Sequence, residues 1–119
     1  MTSQRIILHI TTRRQWQQAL ESGVYTADSL ETEGFIHCSL PKQVVFVANS
    51  RYRGETGLIL LRIDSDRAAP EIRYEGEIDR YPHIYGPLNT DAVIDLLDFP
   101  PENDGRFILP AALSEPPAV

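Results

Sequence analysis

The 119-residue sequence has one cysteine, one lysine and no apolar run approaching the length of a membrane span. Each shortage excludes something. Cys38 alone cannot close an intramolecular disulfide, so the chain is not a disulfide scaffold and suits a reducing compartment. A bilayer-crossing helix needs about 18 or more consecutive apolar residues, and none is present. The opening MTSQRIILHITTRR lacks both a long apolar core and a small-residue cleavage site, so the expectation is a cytoplasmic protein with no membrane association. Positive charge is also short. A net charge of −6 argues against general nucleic-acid binding, which recruits clustered Lys and Arg to the phosphate backbone. Lys42 stands against ten arginines, and arginine is the side chain that forks onto carboxylates and phosphates. The glycine-rich phosphate loops, the nucleophile elbow and the His-Glu-x-x-His helix are absent too.

What remains is ordinary globular material, with 42% hydrophobic and 24% charged residues, enough to build one core without a metal staple. Arg5 to Ile10 is a β-branched apolar run that predicts a buried strand. Thr11 or Thr12 then caps a helix whose stripe is Trp16, Ala19 and Leu20 and whose terminator is Gly23. Val24 to Leu30 is mixed, and Gly34 to Ser39 is strand-like. Ser39 with Pro41 suggests a second helix start, carried on by Val44, Val45, Val47 and Ala48. Gly57 to Ile63 is the strongest strand signal and is expected at the centre of a sheet. Ile72 to Tyr74, the extended stretch Tyr81 to Leu88, Ala92 to Phe99 and Arg106 to Leu109 complete the strand candidates. Ala92 to Phe99 has a period that fits helix or strand, and strand is preferred. The expectation is an α+β single domain over residues 1–110, with a split, mostly antiparallel sheet and two helices in the N-terminal half, followed by a flexible Pro-rich tail over 111–119.

The three histidines share a pattern. His9 is followed at i+2 by Thr11, His37 by Ser39 and His83 by Tyr85. In a strand i and i+2 share a face, so Ile10, Cys38 and Ile84 point the other way while each polar pair faces a common pocket. Neutral imidazole offers one donor and one acceptor, and a hydroxyl serves as either. Such a pocket suits a polyhydroxylated or phosphorylated small molecule. Arg51 with Arg53, and Arg62 in the central strand, are the candidate anion contacts, and Glu75 and Glu77 are the candidate carboxylates. Cys38 is read as core, because its sulfur faces away from its histidine neighbour. Three histidines are also sufficient ligands for a catalytic zinc, but no supporting motif accompanies them, so no metal is expected and a zinc hydrolase is the minor alternative.

The strings Leu8-His-Ile-Thr-Thr12, Glu33-Gly-Phe-Ile-His-Cys-Ser39, Pro82-His-Ile-Tyr-Gly-Pro-Leu88 and Asp104-Gly-Arg-Phe-Ile-Leu-Pro110, in this order, resemble the bacterial family called domain of unknown function 952. That family in turn resembles the fold of the ADP-ribosyltransferases and tRNA 2′-phosphotransferases, which bind NAD between small sheets. The resemblance implies an ADP-ribosylation-like fold, NAD as cofactor or substrate, and ADP-ribosyl or glycosyl transfer as the activity. It places His9 where those enzymes hold a ribose hydroxyl, and His37 to Ser39 near the nicotinamide ribose. Ile10 departs from their glycine, and Glu75-Gly76-Glu77 is the string that mimics their Glu-x-Glu. The resulting assignment has Glu75 and His83 as catalytic residues, and His9, Thr11, His37, Ser39, Arg53 and Tyr85 as ligand contacts in a protein expected to be monomeric. The competing reading is a non-catalytic binding or interaction module.

Overall fold

The computed structural model describes residues 6–114. Strand β1 (Ile6–Thr12) runs into helix α1 (Arg13–Ser22), followed by β2 (Val24–Tyr25), α2 (Ser29–Thr32), β3 (Ile36–His37) and α3 (Val44–Arg51). Then come β4 (Leu58–Asp64), β5 (Glu71–Glu75), β6 (Tyr81–Tyr85), β7 (Leu88–Asn89), a 3-10 turn (Thr90–Ala92), β8 (Val93–Asp98) and α4 (Ala111–Ser114). All strand pairs are antiparallel, in three sheets ordered β1-β4-β8, β2-β7 and β3-β6-β5. This is the split α+β arrangement. β4 is central to its sheet, as its apolar run predicts, and β8 is a strand. Arg5, the first residue of the predicted first strand, lies outside the described residues.

β1 and β4 are buried on both faces, which explains why they read as continuous apolar runs instead of alternating ones. Ile7, Ile59, Leu61 and Ile63 pack on α1 and the two small sheets through Trp16, Tyr25, Ile36 and Ile84. Leu8, Ile10, Leu58 and Leu60 pack on α3 through Val44 and Ala48, and on Phe99 and Phe107. Consecutive residues of β1 therefore serve two different cores. A single bridge from Leu8 to Ser39, with N–H to O distances of 2.8 Å both ways, ties the end of β3 to the central sheet.

The helices follow their caps. Thr12 is the N-cap of α1, its hydroxyl accepting from the Gln15 N–H at 3.2 Å, and Gly23 closes it at φ 89° with its N–H on the Ala19 carbonyl at 2.8 Å. Trp16 and Ala19 are buried as predicted, but Leu20 is 57% exposed, so the stripe is narrower than the spacing implies. α3 begins at Val44, later than the Ser39-Pro41 signal, because Ser39 is held in its bridge and Gln43 folds back to accept from the Leu40 N–H at 2.8 Å. α2 is a third helix in the N-terminal half where two were expected. It is a single turn closed by the Ser29 hydroxyl, which donates to the Phe35 carbonyl at 2.6 Å.

The predicted last strand, Arg106 to Leu109, is extended but pairs with no strand among the described residues. A side chain replaces the partner strand. The Asn49 amide donates to the Phe107 carbonyl at 3.2 Å and accepts from the Phe107 N–H at 2.7 Å, satisfying both backbone groups while the Phe107 ring stacks on Phe99 at 4.8 Å. Of the predicted tail, Ala111–Ser114 forms one helical turn and residues 115–119 lie outside the described residues. Asn49→Ala leaves both Phe107 groups unpaired, which is expected to cost about 1–3 kcal/mol. Urea unfolding should show a lower midpoint at unchanged slope; an unchanged midpoint would mean the Asn49 clamp does not hold the C-terminal segment.

Candidate functional site

His9 shares its face of β1 with Ile7 and Thr11, the face turned toward the two small sheets. It is buried, 8% exposed, and both ring nitrogens are engaged. Nδ1 lies 2.6 Å from the backbone carbonyl of His37, and Nε2 lies 2.7 Å from the Tyr25 hydroxyl. A carbonyl can only accept, so Nδ1 carries the proton and Nε2 of the neutral ring accepts from the Tyr25 O–H. Behind Tyr25, the Thr11 hydroxyl stands 2.9 Å away and the Gln15 side-chain amide 2.8 Å beyond that. The Thr11 hydroxyl thus lies between the Tyr25 oxygen and Gln15 Oε1, which accepts from it. Burial lowers the His9 pKa to about 4, leaving the ring neutral, and burial likewise pushes Tyr25 up to about 12.

A second cluster forms on the β3-β6-β5 sheet. His37 and His83 are directly opposed across the β3–β6 pair, and their rings meet edge to face with centroids 5.4 Å apart. Phe35 stacks on His83 at 4.0 Å and 16°, and meets the edge of His37 at 4.8 Å. Each histidine has its own carboxylate. Glu75 Oε1 accepts from His83 Nδ1 at 2.8 Å and from the Tyr85 hydroxyl at 2.6 Å, while Glu33 Oε2 lies 3.0 Å from His37 Nε2. Those hydrogen bonds, Tyr85 first and His83 second, hold Glu75 below the usual carboxylate range, and the same contact pushes Tyr85 up. His37 similarly draws Glu33 down. Arg73 sits 4.6 Å over the Tyr85 ring and pairs with Glu71, fixing the outer side of this cluster.

Between the clusters and α3 lies a cleft of about 590 Å³. His9, His37, Ser39, Glu75 and His83 line it on the sheet side, Phe46, Ser50, Arg51 and Tyr52 line it from α3 and the residue after it, and Tyr81 and Asp28 complete the rim. Five of the eight residues selected from the sequence thus meet in one space. Thr11 and Tyr85 stand behind the wall, hydrogen-bonded to Tyr25 and Glu75 in place of facing the cleft. Arg53 is outside the wall, beside Gly105, and Arg51 holds the position that Arg53 was expected to fill. Arg62 is also elsewhere, paired with Asp95 at 3.8 Å across the β4–β8 ladder. Cys38 is buried in the core, and its thiol is pushed well up by that burial, which suits packing and not nucleophilic attack. His9 has no ring nitrogen left for a metal, and among the described residues no three His, Cys, Asp or Glu side chains are grouped to hold one. No helix among the described residues is long and apolar enough to cross a membrane.

Tyr25, Glu33 and Phe46 are the contributors that the sequence did not single out. Tyr25 sits in a strand of two residues, too short for any periodicity, and Glu33 reaches His37 across the Gly34 turn, so neither carries a local signal.

The chain belongs to the family described as Protein of unknown function (DUF952), which matches residues 10–96. Its fold is shared with the crystal structure of CC0527 from Caulobacter crescentus, 27% identical, at a TM-score of 0.83 over 92% of this chain and 99% of that one. A double-mutant crystal form of CC0527 matches equally, and its solution NMR structure, 28% identical, matches at a TM-score of 0.75 over 86% of this chain and 90% of that one. No curated protein matches the chain.

The His9 environment predicts an acid limb of stability. The folded pKa near 4 lies below the unfolded value of 6.5, so the unfolded chain binds a proton that the folded chain refuses between those limits. Stability from this site is complete above pH 6.5 and falls by about 3 kcal/mol as the pH drops toward 4. The difference in unfolding free energy between the parent and His9→Gln should shrink across that window; a difference that stays constant from pH 7 to pH 4 would contradict the burial of a neutral His9.

Proposed function

We propose that the cleft binds a nucleotide-like small molecule of the NAD or ADP-ribose class and that His83, oriented by Glu75, moves a proton on it. The observation that carries this reading is the convergence of His37, His83, Ser39, Arg51 and exposed aromatic surface around one space of about 590 Å³, a size typical of small-molecule sites. Phe46 is 69% exposed at its rim and offers a stacking face for a base. Arg51 is the cleft-lining cation and suits a phosphate. Ser39 and His37 offer donors and acceptors to ribose hydroxyls.

The proton work falls to His83. Glu75 Oε1 already accepts from His83 and from Tyr85, and these hydrogen bonds reduce its basicity. A carboxylate fixing Nδ1–H leaves Nε2 bare in the neutral ring, and Nε2 has no protein partner among the described hydrogen bonds. His9 acts one layer behind, setting the β3 backbone that carries His37. Kinship with the ADP-ribosyltransferases is supported by a histidine on the first strand of a split-sheet domain beside a cleft. The Ile10 side chain, which replaces their glycine, belongs to the core on the opposite face of β1.

A thermal-shift series with NAD, ADP-ribose, mononucleotides and sugar phosphates tests the reading. Ligand at about a hundred times its Kd should add about 2.7 kcal/mol, several degrees for a chain of this size. The shift should vanish in Arg51→Ala/His83→Ala, and the absence of a shift with every compound would overturn the reading.

A further inference from the structure

We propose that His37 and His83 form an acid–base pair that hydrolyses a monoanionic nucleotide phosphodiester, of which a nucleoside 2′,3′-cyclic phosphate is the simplest member. The inference rests on the nucleotide reading above and adds the bond that breaks.

Three features of the pair carry it. The rings are opposed in register on neighbouring strands with centroids 5.4 Å apart, so both reach the same bound group. Each has one nitrogen on its own carboxylate, Glu33 for His37 and Glu75 for His83, and the other nitrogen has no protein partner among the described hydrogen bonds. Both line the cleft together with Arg51. A displacement at phosphorus needs a proton removed from the entering oxygen and another delivered to the departing one, on opposite sides of the reacting centre. Two separately oriented imidazoles on one wall of the cleft supply both groups.

The surroundings divide the roles. The His83 side chain is 15% exposed and held by stacking on Phe35, which suits the group that must be fixed against the attacking water; the His37 side chain is 44% exposed beside Glu33, where solvent can resupply the proton it gives away. Charge selects the diester. Arg51 lines the cleft with Glu75 and Asp28, and Glu33 interacts with Arg51 and His37, so these carboxylates oppose the dianion of a monoester more strongly than the monoanion of a diester.

The step balances without another reactant. Water attacks phosphorus as His83 Nε2 takes one of its protons, the new P–O bond forms, and one ester P–O bond breaks. His37 gives its proton to the departing ribose oxygen, and solvent exchange returns both rings to their starting forms. One water is consumed, and one nucleoside monophosphate is released.

Adenosine 2′,3′-cyclic phosphate is the probe, followed by ³¹P NMR with chelator present, with calorimetric binding of adenosine 2′-monophosphate and 3′-monophosphate measured in parallel. The parent protein should convert the cyclic diester to monophosphate with a bell-shaped pH dependence. His37→Gln and His83→Gln should each lose at least about 100-fold in rate while product affinity changes by no more than a few-fold. Glu33→Gln, an exposed change that leaves the strands intact, removes the carboxylate that orients His37 and should slow hydrolysis about 10-fold with product affinity unchanged. Nucleotide binding with no hydrolysis, a flat pH profile in the parent, or full activity in His37→Gln would overturn the pair while leaving the nucleotide reading standing. Neither binding nor hydrolysis would overturn both.

Discussion

A neutral imidazole buried between three strands organises this molecule. His9 donates from Nδ1 to the His37 carbonyl and accepts at Nε2 from the Tyr25 hydroxyl, joining β1 to β3 and to β2. Both of those partner strands are two residues long, too short to be held by their own ladders. The side-chain network completes what the ladders cannot. An uncompensated polar ring in that position would cost several kcal/mol, so the site holds only while every partner is present.

The placement of β3 then decides which histidines face the cleft. The His37 carbonyl points inward to His9, while the His37 side chain projects to the exposed side, opposite His83. One residue thus links a dry, proton-poor interior to a wet cleft. The three histidines are consequently unlike one another: His9 is committed on both nitrogens, whereas His37 and His83 each spend one nitrogen on a carboxylate and keep the other available. Phe35 braces both cleft rings by stacking on His83 and meeting the edge of His37.

Much of this was legible in the sequence, because strand periodicity is a geometric rule. The i, i+2 pairs His9/Thr11, His37/Ser39 and His83/Tyr85 do share faces, and Cys38 and Ile84 do point into the core. What the rule does not supply is depth. Thr11 and Tyr85 share the right face but are taken up by Tyr25 and Glu75, contacts that depend on tertiary placement. Arg51, not Arg53, lines the cleft, because α3 runs only to Arg51 and the chain beyond it turns toward Gly105. The strand expected at Arg106 to Leu109 failed for a related reason: the Asn49 amide does the work of a neighbouring strand, and extended apolar sequence looks the same in both cases.

The most direct test of this account is the protonation of the three imidazoles, read by long-range ¹H–¹⁵N correlation at pH 7 and followed as acid is added. His9 should be the neutral Nδ1–H form and should stay neutral until about pH 4, where its burial holds it. Neutral His83 should also carry its proton on Nδ1, facing Glu75, with a bare Nε2 whose signal moves when a nucleotide is added. A His9 that gains its proton near pH 6.5, or a His83 whose Nε2 signal ignores every nucleotide, would contradict the division between a structural histidine inside and the proposed ligand-binding histidines in the cleft.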